Sequence, residues 1–169
     1  MTRVQLAMLI GWLEPLQSRK RLQKVAFLLQ AAGWPGNLDF ELHSHGPYSL
    51  ELSRLCEELV QSGLVREQPV AGTAGRQYVY SLSELGRLRL NSFEASSQPT
   101  VAALARYEGL ARRLSTVDLP TLEIASTMVY LRLQVDWTQA VLKASRLQQP
   151  GGDPVLLSRA EELARQLMP

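Results

Sequence analysis

One continuous stretch, residues 50 to 93, leaves this chain few ways to fold. Leu52, Leu55, Cys56, Leu59 and Val60 follow the i, i+3, i+4, i+7, i+8 spacing of a helix that buries one stripe. Gly63 stops that helix. "LVREQPV" and "RQYVYSL" then bracket "AGTAG", the pattern of a β-hairpin with a long loop. Tyr78 and Tyr80 share a strand face that can pack on the helix at 50 to 62. Ser83 is placed to accept from the first free N–H groups of a short helix, "ELGRLRL", and Gly86 permits close backbone approach there.

Upstream, Val4, Leu6, Leu9, Ile10 and Leu13 predict a short helix ending before Pro15. "SRKRLQKVAFLLQAAG" has Ser18 as N-cap and Gly33 as the C′ residue. Its apolar face is Leu22, Val25, Ala26 and Leu29, widened by Phe27 and Leu28. "LDFEL" alternates as a short half-buried strand. From 18 to 93 the order is helix, strand, helix, two-stranded wing, helix, which predicts a winged helix-turn-helix variant.

Residues 94 to 99, "EASSQP", read as a linker, and the remainder of the chain reads as helix. One helix is expected over 100 to 114 and another from Pro120, carrying Leu122, Ala125, Met128 and Val129. Asp136 and Gln139 form a capping box, "QQPGGDP" is a turn, and Asp153 with Pro154 starts a last helix lined by Leu156, Ala160, Leu163 and Leu167. The expected fold class is mainly α with a small β-hairpin. A winged-helix lobe at 1–93 is joined by the 94–99 linker to a helical extension at 100–169 packed on it. Met128, Val129, Tyr130, Leu131 and Leu133 are more apolar than one stripe needs; they either cover the winged core or form an interface, such as a homodimer.

Composition removes several classes. The single cysteine excludes a disulfide framework and leaves no Cys-based zinc site. The apolar run near residue 10 is broken by Gln5, Gly11 and Glu14, so it is neither signal peptide nor membrane span, and a soluble cytoplasmic protein is expected. Formal charge is +2, too small a surplus for binding nucleic acid through charge alone.

The hairpin region has a more specific likeness. "SGLVREQ…GRQYVYSLSELGRLRL", with Tyr80, Leu82, Ser83 and Gly86, resembles the wing of MarR- and PadR-type regulators. Over a longer span, Arg21-Leu22-Gln23-Lys24 and Gly46-Pro47-Tyr48-Ser49, with the later helix "LEIASTMVYL", resemble the YwgA-like family of small bacterial proteins. The likeness to the Panacea (SocA-type) antitoxin domain is more distant. The YwgA-like resemblance carries no catalytic residues; the Panacea resemblance implies neutralisation of a toxin through protein contact.

"HSHGPYSLEL", 43 to 52, holds the remaining chemistry. His43 and His45, two apart on a strand, would point to one face and could share a metal with Glu41, yet a third and fourth ligand are wanting. Ser44 or Ser49 with either histidine would need an orienting acid and an oxyanion hole. The structural reading is stronger. Gly46 and Pro47 turn the chain into a helix entrance, Tyr48 packs, Ser49 caps, and the helix offers free N–H groups at the surface for a phosphate or carboxylate. No cofactor is expected.

Positive charge gathers in Arg19, Lys20, Arg21 and Lys24, against the macrodipole of their own helix. With Tyr48, Ser49, Arg54, Arg66 and Arg76 these are the expected contacts to a partner or phosphate. Glu51, Glu57 and Glu58 against Arg54 make the helix at 50 to 62 a poor fit to DNA. The expected function is a non-enzymatic binding module acting through protein contact. A DNA-binding transcriptional regulator is the alternative, and a metal-dependent or serine hydrolase the remote one.

Overall fold

A computed structural model of the protein describes residues 1–72, 75–148 and 153–168. Thr2 caps the first helix, α1 (Arg3–Leu13), through a capping box with Gln5. Strand β1 (Leu16–Gln17) leads to α2 (Arg19–Ala31), where Ser18 accepts from the Arg21 amide and Gly33 follows the C-cap at φ +97°. A short hairpin of β2 (Glu41–His43) and β3 (Gly46–Tyr48) comes next. Helix α3 (Leu50–Gln61) starts at the cap Ser49 and buries Leu52, Cys56 and Leu59.

The long hairpin forms as expected. β4 (Val65–Gly72) pairs antiparallel with β5 (Gly75–Leu82) from Val65↔Leu82 to Gly72↔Gly75. Its tip at Thr73 and Ala74 lies outside the described residues. β1 adds to the other edge of β5, giving a three-stranded sheet in the order β1-β5-β4.

Helix α4 (Glu84–Ser96) begins where Ser83 Oγ accepts from the Gly86 amide and donates to the Gly63 carbonyl. A Cβ on Gly86 would lie 2.1 Å from the Leu64 carbonyl oxygen, so glycine lets the helix press on the chain leaving α3. The helix runs through 94–96, and α5 (Gln98–Ala105) starts two residues later, so the expected linker is almost wholly helical, broken at Ser97.

The helix expected at 100–114 is two, α5 and α6 (Glu108–Thr116), broken at Arg106 and Tyr107. The Tyr107 hydroxyl reaches back to donate to the Gly33 carbonyl at 2.6 Å, tying the break to the loop after α2. Helix α7 (Leu119–Arg132), capped by Asp118, is buried on nearly every side; α2, α8 (Trp137–Gln148) and α9 (Pro154–Leu167) pack on it. Asp136 accepts from the Gln139 amide at the start of α8, and Asp153 from the Val155 amide at the start of α9. Of the turn expected at "QQPGGDP", 148–154, residues 149–152 lie outside the described residues.

The molecule is thus mainly helical with two small antiparallel sheets, β1-β5-β4 and β2-β3. A continuous core joins Leu9 and Ile10 of α1, Val25 and Leu29 of α2, Leu52 of α3 and Leu82 of β5 to Leu114 of α6 and Leu122 and Met128 of α7. Met128, Val129 and Leu131 belong to that core; Leu133, past the end of α7, is 61% exposed. Gly86→Ala should therefore lower the urea-unfolding free energy by about 3 kcal/mol, the upper range for overpacking. An unchanged midpoint would contradict so close an approach of α4 to Leu64.

Candidate functional site

The Gly-Pro corner is a hairpin, not a helix entrance. β2 pairs with β3 across the turn Ser44–His45, with His43↔Gly46 and Glu41↔Tyr48 in register. The strand expected over 38–42 is shorter and shifted, although the alternating burial persists, with Leu38 buried and Phe40 and Leu42 half-buried. Gly46 adopts φ +90°, and a Cβ there would meet Thr127 Oγ1 at 2.9 Å and the Glu123 carbonyl at 3.1 Å. Glycine is needed because β3 lies directly on α7.

At the start of α3, where free amides were expected, two are already bonded. Ser49 is buried, its amide donates to Gln23 Oε1 at 2.8 Å, and its Oγ accepts from the Leu52 amide. Gln23 Nε2 completes the tie by donating to the Ser49 carbonyl and to Ser53 Oγ. Ser53 Oγ also accepts from the Tyr48 hydroxyl at 2.9 Å. Gln23 is thus a site residue that charge clustering did not point to; its signal was its place in the Arg-Leu-Gln-Lys motif.

Most of the expected basic cluster is turned inward. Arg19 donates to Glu57 at 2.7 Å, Glu67 at 3.1 Å and the Tyr80 hydroxyl at 3.0 Å. Burial opposes its charge, but the bonds from Glu57 and Tyr80 outweigh burial and raise its pKa. Arg21 is half-buried: its guanidinium donates to the Ser115 and Val117 carbonyls, clamping α2 to the α6–α7 turn, and burial lowers its pKa. Lys24 is 3% exposed, and its Nζ donates to the Pro47 carbonyl at 2.8 Å. Burial lowers the Lys24 ammonium to about 8, against the opposing pull of Glu123. Lys20, Arg54 and Arg66 are exposed, while the side chain of Arg76 falls outside the described residues. Of the two hairpin tyrosines expected to pack, Tyr80 is buried and Tyr78 is 37% exposed.

What these residues build is a cavity of about 350 Å³ between α2 and the β2–β3 hairpin. Lys20, Lys24 and Gln23 line one side, and His43, Ser44, His45 and Tyr48 the other. A second, shallower hollow of about 750 Å³ lies beyond Arg19 and Lys20, along the β1–β5 edge with Tyr78 and Tyr80. The two histidines do not share a strand face: His43 ends β2, 3.8 Å from Glu41 and with its ring tilted 39° against that of Tyr48, whereas His45 is in the turn, 4.0 Å from Glu123. Among the described residues no three His, Cys, Asp or Glu side chains gather closely enough to hold a metal ion. Cys56 is a core thiol whose pKa burial raises to about 11.

With this geometry in view, comparison with known proteins gives one informative likeness. The chain is similar to YwgA. That uncharacterized protein of Bacillus subtilis is 29% identical over 112 residues. The match takes in 66% of this chain and 63% of YwgA, so the chain spans less than two thirds of that relative's length. No model of a known protein family matches the sequence. Among the described residues no helix is long and apolar enough to cross a membrane.

Lys24 sets a pH dependence with a definite sign. Between about pH 8 and the ordinary lysine value of 10.5 the folded protein binds fewer protons at this site than the unfolded chain. The contribution of Lys24 to stability is therefore complete above 10.5, and it is lost as pH falls to about 8. Cys56, raised from 9.0 to about 11, acts in the opposite sense over its own window, so the comparison must be differential. Wild type should gain stability relative to Lys24→Met as pH rises from about 8 to about 10, read by urea unfolding. A pH-independent difference would contradict the buried position of the ammonium.

Proposed function

We propose that the protein is a non-enzymatic binding module of the YwgA-like kind, with a winged-helix lobe, acting in the cytoplasm through contact with another protein. The observation that carries this reading is the outer face of α4. Of its residues Gly86 alone is buried, while Leu85 and Leu88, one turn apart, are 47% and 62% exposed. Two large apolar side chains adjacent on one helix gain by being covered, and together they form the start of a contact patch.

Support for the winged-helix lobe comes from the order α1, β1, α2, α3, β4, β5 and from a sheet ordered β1-β5-β4, with the β2–β3 hairpin inserted before α3. The likeness to YwgA supports the family reading, and the antitoxin-like resemblance is in keeping with protein contact. In keeping with a structural role, the Ser53 hydroxyl accepts from Tyr48 and Gln23, and the buried Ser49 hydroxyl caps α3.

DNA is the less favoured partner. In a winged helix α3 would face the major groove. Its exposed side carries Glu51, Glu57 and Glu58, two of them paired with Arg19 and Arg3, and Arg54. A protein that co-purifies with the wild-type chain from its own cells should be lost from Leu85→Arg/Leu88→Arg, with the far-UV circular dichroism unchanged. Salt-dependent retention on duplex DNA, abolished by Lys20→Ala/Arg66→Ala, would overturn the reading in favour of a regulator.

A further inference from the structure

Apart from any protein partner, the geometry points to a second activity: the cavity between α2 and the β2–β3 hairpin binds the phosphate group of a small molecule, as the free ion or as a monoester. Lys20 and Lys24 are four residues apart on α2, so they stand one above the other on one face, and both line the cavity. His43 and His45 face them from the hairpin, with Ser44 and the Tyr48 hydroxyl between. Donors therefore converge from two elements on one half-open cleft.

The charges in the wall are unbalanced. Among the described residues the one carboxylate lining this cavity is Glu57, and Arg19 holds it at 2.7 Å. That leaves the two lysines without a counter-ion inside the cavity. Glu123 stands outside the lining and acts on Lys24 at longer range than an ion pair, offsetting part of its charge. A buried ammonium has three N–H donors, and the Pro47 carbonyl takes one of them. Burying such a charge with incomplete pairing is costly, and an anion seated against Nζ removes much of that cost.

Phosphate fits better than a carboxylate because it presents more acceptor oxygens, in a tetrahedral array that lysines on one side and imidazoles on the other can reach together. At about 350 Å³ the cavity is near the small end of ligand sites, enough for a pentose phosphate and too small for a dinucleotide. At the helix start the Ser49 and Leu52 amides are already bonded, to Gln23 and to Ser49 Oγ, so the site is built from side chains.

Isothermal titration of the full chain with ribose 5-phosphate, inorganic phosphate, ribose and succinate tests the site. Saturable binding of ribose 5-phosphate or inorganic phosphate is expected, with ribose and succinate much weaker. Tighter binding of the ester assigns the site to an organic phosphate, and tighter binding of inorganic phosphate assigns it to the free ion. Lys20→Ala and His43→Ala, both at exposed side chains, should each weaken binding by roughly tenfold with an unchanged unfolding midpoint. Lys24→Met should abolish binding, but because Lys24 also holds Pro47 the exposed variants carry the test. No saturable phosphate binding, succinate binding as tightly as phosphate, or binding indifferent to both exposed variants would overturn the proposal.

Discussion

Gln23 sits in the middle of α2 and spends its whole side chain on the start of α3. Its Oε1 accepts from the Ser49 amide, and its Nε2 donates to the Ser49 carbonyl and to Ser53 Oγ. A buried amide bonded in both directions fixes position and orientation together, because any shift leaves a buried polar group without a partner. That bond holds α3 against α2. The Lys24 bond to the Pro47 carbonyl does the same for β3, and Gly46 lets β3 lie on α7. The walls of the cavity follow from these contacts.

The same helix explains why its charges do not make a basic surface. Arg19 gathers Glu57, Glu67 and Tyr80, joining α3 and both strands of the long hairpin to α2. Arg21 reaches the turn between α6 and α7. Three of four clustered cations are thus used as struts, and Lys20 remains for solvent or a ligand. A row of positive residues in a sequence does not reveal which way each one turns, because a helix places successive side chains about a hundred degrees apart.

Much of the local structure was legible. Ser18, Ser49, Ser83 and Asp153 cap the helices they were expected to cap, because capping depends on a few adjacent atoms. The long hairpin and the role of Gly86 were likewise readable from spacing. Boundaries set by distant contacts were not. The break at Tyr107 depends on a carbonyl seventy-four residues away, and the Gly46–Pro47 strand depends on α7 behind it. The cavity was illegible for the same reason: its two walls come from segments distant in sequence, brought together by the Lys24 bond to the Pro47 carbonyl and the Gln23 bonds to Ser49 and Ser53.

Amide hydrogen exchange at Ser49, in wild type and in Gln23→Ala, tests this dependence most directly. The wild-type Ser49 amide is expected to exchange only through global unfolding. Gln23→Ala should speed exchange across residues 44–53 far more than in the paired strands at 65–70 and 77–82. A Ser49 amide exchanging in wild type at the rate of an unstructured peptide, or one indifferent to the loss of Gln23, would contradict it.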